Sequence, residues 1–281
     1  MSSRTFEPRP GAAPILKILM AQTMMETRLL LLNGEQLLLV IAIPTLVLVL
    51  FSTVNVVALG SDRRVNYVLP GVLAIAVMST AFTGQAITTG FERRYGVLKR
   101  LAATPLPRWG FIVAKTGSVV LVGLVQVLLL LVIGFVLGWT PRGSFLDVAL
   151  LLALGTAAFS GLGLLMAGTL RAEATLAGAN LIFLLLLVGG GVVVPLDKFP
   201  APAAAVLSLL PAGALAGGLR GVIQHGQAFP VAEAATLLAW SLLSVVAAGA
   251  TFQGGYLSRW RACLPLSCWV RPVVQVSASS A

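Results

Sequence analysis

Long apolar stretches alternate with short polar segments along most of this chain. Six of these stretches reach roughly the 20 residues that an α-helix needs to cross a bilayer, so the pattern predicts six transmembrane spans. The predicted spans are Gln36–Leu59, Val68–Gly90, Trp109–Trp139, Phe145–Leu170, Thr175–Val194 and Val231–Leu257. The stretches are continuous rather than alternating, which favours helices over a β-barrel. The fold class predicted is therefore an all-α integral membrane protein with six transmembrane helices.

Two further segments do not fit a simple span. Ile15–Leu32 mixes charged and apolar residues before the first span, which is typical of an interfacial helix. Residues 195–230 are apolar but are interrupted by many prolines and glycines, so we predict a re-entrant helical hairpin that enters from the outer face before the last span. The interruptions are Pro195, Pro200, Pro202, Pro211, Gly213, Gly217, Gly218 and Gly221.

Composition supports the membrane class and limits the possible partners. The 281 residues are 58% hydrophobic and 10% charged, which leaves too little polar surface for a soluble domain. The net charge of +10 comes from basic residues near helix ends, where they set topology and meet anionic lipid. We therefore expect the lipid bilayer, and no nucleic acid, as a partner. The bias towards Arg, Ala, Gly, Leu and Val is typical of a bacterial protein.

A dense basic stretch between the second and third spans sets the predicted orientation. Six of the 19 Lys and Arg residues lie between Phe91 and Lys115. Lys and Arg are retained on the cytoplasmic side during insertion, so the loop 91–108 and both termini are predicted to be cytoplasmic. The predicted organisation is a cytoplasmic N-terminal segment with the interfacial helix (1–35), a six-span domain (36–257) and a cytoplasmic tail (258–281).

The same loop has the periodicity of a short amphipathic helix. If Glu92–Leu101 is wound as one helix, Val97, Leu98 and Leu101 share a face, with Arg94 at its edge. The opposite face carries Glu92, Arg93, Lys99 and Arg100. The helix is expected to end near Thr104, because a residue before proline disfavours the α region. Such a helix could lie on the bilayer as an anchor or dock on a cytoplasmic partner, and periodicity alone favours neither.

Two motifs carry a resemblance to a known family. Glu92-Arg93-Arg94-Tyr95-Gly96-Val97-Leu98-Lys99-Arg100-Leu101, followed by Thr104-Pro105-Leu106, resembles the E-R-x-x-G-T-L-x-R-L…T-P-L/V signature of ATP-binding-cassette (ABC) type-2 exporter permeases, with Val97 in place of the usual Thr. Leu210-Pro211-Ala212-Gly213, with Arg220 further on, is similar to the L-P-x…R element before the last span of that family. The subgroup that it resembles most is the daunorubicin-resistance type of multidrug exporters. In the hairpin, the resemblance singles out Pro211, Gly213 and Arg220.

The resemblance implies how such a protein would be powered. In that family the basic loop is a coupling helix that docks on a separate ABC nucleotide-binding subunit, which binds ATP and Mg. The residues implied here are Glu92, Arg93, Arg94, Tyr95, Gly96, Leu98, Lys99, Arg100 and Leu101. The chain has no G-x-x-x-x-G-K-[ST] motif, so it is expected to bind no cofactor and to be no enzyme itself. A homodimer or a paired second permease would complete the complex in the bacterial plasma membrane.

Polar residues deep in the predicted spans are neutral. No acidic residue lies mid-span, although a proton-coupled transporter needs a titratable group there. The deep polar residues are Gln85, Thr88, Thr89, Gln126, Ser160 and Asn180. Interhelical hydrogen bonding is one interpretation of these residues. The other is contact with a hydrophobic or amphiphilic substrate, a drug, antibiotic or lipid, between two copies, for which the candidates are Gln85, Thr88, Thr89 and Asn180.

Two alternatives remain open from the sequence. A non-transporting membrane anchor or assembly factor would share the same pattern of spans. An intramembrane serine protease would need Ser160 and His225, but a catalytic base must come within about 3 Å of its nucleophile, and we expect these two residues at different depths. Cys263 and Cys268 are expected to be reduced thiols in the tail, and no metal site is predicted.

Overall fold

The computed structural model describes residues 13–53, 64–97, 108–192 and 199–262. Across these ranges the regular structure is helical, which confirms the all-α membrane fold. The elements are α1 (Ile15–Leu32), α2 (Gly34–Thr53), α3 (Arg64–Val77), a π-helix (Met78–Gly84), α4 (Gln85–Arg94), α5 (Arg108–Val136), α6 (Phe145–Thr169), α7 (Ala172–Gly189), α8 (Ala201–Ser208), α9 (Pro211–Ile223) and α10 (Val231–Ala262). Cys263 and Cys268 lie outside the described residues.

Within the part of the chain that the structure describes, five apolar helices are long enough to cross a membrane. They are Arg64–Arg94, Trp109–Val136, Phe145–Thr169, Ala172–Gly189 and Val231–Thr251, and they correspond to the second to sixth predicted spans. The first predicted span, Gln36–Leu59, is described only as far as Thr53, where α2 contains the apolar stretch Val40–Thr53. A helix pair bent by 97° forms the remaining apolar element.

The bent pair is α8 and α9, within the segment predicted as a hairpin. Its bend is attached to α10, because Trp240 Nε1 donates a hydrogen bond to Leu209 O over 2.8 Å. Trp240 lies nine residues after the start of α10 at Val231, which is about 14 Å along the helix axis at 1.5 Å per residue. The bend therefore lies about 14 Å along α10 from its start, and α9 returns towards the end at which α10 begins, as a re-entrant hairpin does.

The second span forms the centre of the bundle. In the most apolar window of Arg64–Arg94, 78% of the residues are buried, against 17% for α7. The π-helix lies in the middle of this span and packs against α6. A Cβ atom placed on Gly163 would lie 2.8 Å from the carbonyl oxygen of Phe82, so α6 can approach the π-helix backbone this closely only with glycine there.

The prediction of one helix over Glu92–Leu101 is wrong. The helix of the second span continues to Arg94, and Tyr95 and Gly96 then form a turn in which Gly96 has a φ of +73°. Glycine takes this left-handed conformation at little cost and commonly ends a helix in this way. Glu92, Arg93 and Arg94 therefore belong to the second span, whereas Leu98, Lys99, Arg100 and Leu101 lie outside the described residues.

Candidate functional site

A buried ion cluster joins three helices near the end of the second span. Lys115 Nζ, on α5, lies 2.6 Å from Glu26 Oε2 on α1 and 2.6 Å from Glu92 Oε1 on α4. Gln22 extends the cluster by donating from Nε2 to Glu26 Oε1 over 3.0 Å. The Lys115 residue is only 4% exposed, so its charge is balanced within the protein rather than by solvent.

This arrangement corrects the interpretation of Lys115 as a charge of the basic loop. Lys115 lies seven residues after the start of α5 and points into the bundle. Removing charges from water costs several kcal/mol per ion, so such a cluster persists only where each charge has close partners. A sequence signal existed for Lys115, because it is an ionisable residue inside the long apolar helix α5, and such residues are usually paired or functional.

Arg93 joins the second span to the end of α6. Its Nη1 donates to Ala167 O over 2.9 Å and to Gly168 O, and its Nη2 donates to Leu170 O over 2.9 Å. The last carbonyls of a helix lack intrahelical donors and carry partial negative charge, so a guanidinium group satisfies and neutralises them together. The sequence interpretation had placed Arg93 on the outward polar face of a separate helix.

Arg94 reaches a fourth helix. Its Nη1 donates to Glu173 Oε1 in the first turn of α7, in an ion pair whose side chains are both more than half exposed. Tyr95 follows and is 70% exposed, with its ring stacked on Phe91 at a centroid distance of 6.2 Å. Arg93 thus contacts the bundle, whereas Tyr95, two residues later, is exposed.

We call Glu92, Arg93 and Arg94 the loop anchor, because they fix the beginning of the basic loop. Through the buried ion cluster Glu92 contacts α5 and, by way of Lys115, α1. Arg93 holds α6, and Arg94 holds α7. Three consecutive residues thus connect the loop to four helices. A displacement of the loop would act on all four.

The predicted substrate-pathway residues are only partly brought together. Gln85, Thr88 and Thr89 line one cavity of about 30 Å³, which Lys115 also borders. That volume suits about one or two water molecules and is far below the roughly 300 Å³ of a drug-sized pocket. Asn180 is instead exposed on α7, away from the cavity. The cavity at Gln85, Thr88 and Thr89 is therefore too small to hold a drug-sized molecule.

Several deep polar side chains form interhelical hydrogen bonds. Ser160 Oγ donates to Gln85 Oε1 over 2.7 Å and lies 2.9 Å from Thr116 Oγ1. Gln126 accepts from Thr80 and donates to the carbonyl oxygen of Val40. These bonds connect α2, the second span, α5 and α6.

Ser160 does not have the surroundings of a protease nucleophile. It is fully buried, and the side chains with which it forms hydrogen bonds, Gln85 and Thr116, carry no imidazole. His225 is exposed on the turn that follows α9. Among the described residues, no group of three or more His, Cys, Asp or Glu side chains could hold a metal ion.

The hairpin residues singled out by sequence have structural contacts. Pro211 occupies the first turn of α9, where its missing N–H costs nothing. Arg220 is buried and donates to Gly191 O and, over 2.6 Å, to Val192 O, in the turn that follows α7. Gly71 of α3 packs on the same turn, since a Cβ there would lie 2.6 Å from Val192 O. Arg220 therefore holds the hairpin to the turn after α7, on which α3 also packs.

Comparison with known proteins identifies the fold family. The sequence model of the ABC-2 type transporter family matches residues 18–223, well over half of the chain. No curated protein matches the sequence. The matched region includes most of α1, the buried ion cluster, the loop anchor and α9. The chain therefore belongs to the ABC-2 type transporter family, as a membrane-spanning transport permease subunit.

Proposed function

We propose that this chain is the permease of an ATP-driven exporter in the bacterial plasma membrane. ATP and Mg would bind to a separate ABC nucleotide-binding subunit, on which the basic loop docks from the cytoplasm. The cargo would be a hydrophobic or amphiphilic small molecule, such as a drug, an antibiotic or a lipid. A second permease, either another copy or a paired chain, would complete the complex.

The observation that carries this proposal is the loop anchor. If the loop only tethered the second and third spans, one contact to the membrane surface would be enough. Instead, Glu92, Arg93 and Arg94 contact separate parts of the bundle through charged groups. Charge-assisted hydrogen bonds are shorter and stronger than neutral ones, so they can transmit a displacement without breaking. The exposed Tyr95 marks where a partner would meet the loop.

The amphiphilic cargo is supported by the polarity of the second span. Gln85 Nε2 and Thr89 Oγ1 are buried and have no hydrogen-bond partner among the described residues. Buried polar groups are costly without partners, so these two side chains could bind a polar group of a substrate once the helices separate. The rest of the cavity lining includes Val40, Val119 and Val122, which would contact an apolar part.

Reconstitution tests the proposal directly. The chain would be placed in liposomes with its nucleotide-binding subunit, and the movement of a fluorescent amphiphilic dye would be followed after addition of ATP and Mg. We expect dye movement that requires the ATPase subunit and stops with a non-hydrolysable nucleotide. Dye movement against a gradient by this chain alone would overturn the proposed energy source. A complex that hydrolyses ATP but moves neither dyes nor labelled lipids would exclude the proposed cargo classes.

A further inference from the structure

A second cavity adjoins the one at Gln85, Thr88 and Thr89, and Thr80 and Val119 line both. It has a volume of about 160 Å³ and lies between the second span, α5 and α6. Its inner wall is formed by Val77, Thr80 and Ala81, at the junction of α3 with the π-helix. The contributions of α5 span residues 119–127, which bracket the middle of that helix.

The cavity opens sideways, between α5 and α6. Val120 and Leu124 on α5 are exposed, and so are Ala149 and Ala153 on α6, whereas the wall residues Val77, Thr80 and Ala81 are all buried. The face of α5 beside the opening continues with exposed apolar side chains. These are Leu121, Val125 and Leu128. Since both helices are apolar enough to span a membrane, the opening faces lipid hydrocarbon.

The polar side chains in the lining already have partners. Thr80 Oγ1 donates to Gln126 Oε1 over 2.7 Å, and Gln126 Nε2 donates to Val40 O over 2.7 Å. Thr156 Oγ1 donates to Leu152 O over 2.7 Å within its own helix. An occupant therefore gains little by offering hydrogen bonds, and the remaining lining is aliphatic. Apolar cavities of about 150 Å³ stay dry and accept small hydrocarbons.

From this geometry we propose that the cavity binds the end of a membrane lipid acyl chain, inserted sideways between α5 and α6. A drug-sized compound would need roughly 300 Å³ or more. A chain end is narrow and is present at high concentration at the opening. Once inserted, it contacts the π-helix junction that lies at the centre of the bundle.

Gly123 offers a way to fill the cavity without disturbing its walls. It borders the cavity, and a Cβ atom placed on it would have no neighbour within 4 Å. Gly123→Leu should therefore occupy the space that the acyl chain would take. Gly249→Leu is the matched control, because Gly249 lies in the span Val231–Thr251 and also has no neighbour within 4 Å of a Cβ atom.

The test uses the full chain in nanodiscs of phosphatidylcholine mixed with a phosphatidylcholine that carries a diazirine at the end of one acyl chain. After irradiation, adducts are located residue by residue by mass spectrometry. We expect adducts on the buried residues Val77, Thr80 and Ala81, which a lipid lying on the outside of the bundle does not reach. These adducts should be retained in Gly249→Leu and lost in Gly123→Leu, while adducts on exposed Leu121 and Val125 persist in both variants.

Two results would overturn the proposal. One is labelling of Leu121 and Val125 without labelling of Val77, Thr80 or Ala81 in the unmodified chain. The other is equal labelling of the inner wall in Gly123→Leu and in the control. Size-exclusion chromatography establishes that each variant is folded. If Gly123→Leu does not fold, Ala153→Leu narrows the same cavity from α6 and is judged by the same two criteria.

Discussion

Lys115 and Glu92 are 23 positions apart in sequence, yet Lys115 Nζ lies 2.6 Å from Glu92 Oε1 in the interior of the bundle. The contact closes the basic loop at its base, because Glu92 precedes the loop and Lys115 follows it. Glu26 binds the same ammonium group from α1. The two ends of the loop therefore move together with α1.

Lys115→Met should destabilise the fold strongly. The substitution keeps the length of the side chain but leaves the carboxylates of Glu26 and Glu92 buried without their cation, and breaking a buried pair costs about 3–5 kcal/mol. The triple variant Glu26→Gln, Lys115→Met and Glu92→Gln removes all three charges and should recover most of that loss. Unfolding in mixed micelles, followed by tryptophan fluorescence, measures both. Equal stability of the single variant and the unmodified chain would contradict the cluster.

Arg93→Lys should impair both stability and coupling. A lysine ammonium cannot reach three carbonyl oxygens with the fixed geometry of a guanidinium group, so the end of α6 loses part of its cap. We expect a loss of about 1–3 kcal/mol, in the range of a hydrogen bond to a charged group. Arg94→Lys is the control, because exposed ion pairs contribute only about 0–1 kcal/mol. Both variants are compared in the same unfolding assay and by the ATPase rate of the complex. Equal effects of Arg93→Lys and Arg94→Lys would contradict a special role of Arg93.

Gly96→Pro should uncouple the permease from its ATPase while leaving membrane insertion intact. Proline fixes φ near −65°, whereas Gly96 has a φ of +73°, and proline also lacks the N–H that donates to Arg93 O over 3.3 Å. Gly96→Asn is the matched control, because asparagine tolerates the left-handed region. We expect substrate-stimulated ATPase activity to be lost in the first variant and largely kept in the second. Full stimulation in Gly96→Pro would remove this turn from the coupling mechanism.

Cysteine labelling tests the proposed orientation of the bundle. Tyr95 is 70% exposed at the loop, and His225 is exposed on the turn after α9. In a background with Cys263→Ser and Cys268→Ser, a membrane-impermeant maleimide added to intact cells should label the variant His225→Cys and not Tyr95→Cys. Inverted membrane vesicles should give the opposite pattern. Labelling of Tyr95→Cys in intact cells would place the loop outside and exclude docking on a cytoplasmic ATPase.

The second to sixth spans could be predicted from sequence because hydrophobic length alone determines them. The helix near Glu92 could not, since a helical wheel assumes continuous geometry and does not show that Gly96 adopts a left-handed turn. The hairpin was predicted from its prolines and glycines. Its 97° bend and the bond from Trp240 depend on how distant helices pack, which a local pattern does not contain.

The sequence also predicted only part of the candidate site: it identified several residues but not the distant groups that they contact. The resemblance to a family singles out Glu92, Arg93 and Arg94, but it does not give their partners. Glu92 pairs with Lys115, and Arg94 pairs with Glu173. Arg93 binds three carbonyl oxygens at the C-terminal end of α6. Every residue has a backbone carbonyl group, so the sequence does not show which of them accept hydrogen bonds from Arg93. Gln85 and Thr89 could be grouped because they are one turn apart on one helix, whereas Asn180 required the packing of α7 to be known.

The re-entrant α9 has a consequence for the route of any cargo. Nearly all of its side chains are buried, Arg220 ties it to the turn after α7, and it follows the bend held by Trp240. Among the described residues, α9 and the segments that it contacts therefore form a closely packed block. Under the proposed export function, a cargo molecule would pass along the flanks of the helices beside that block.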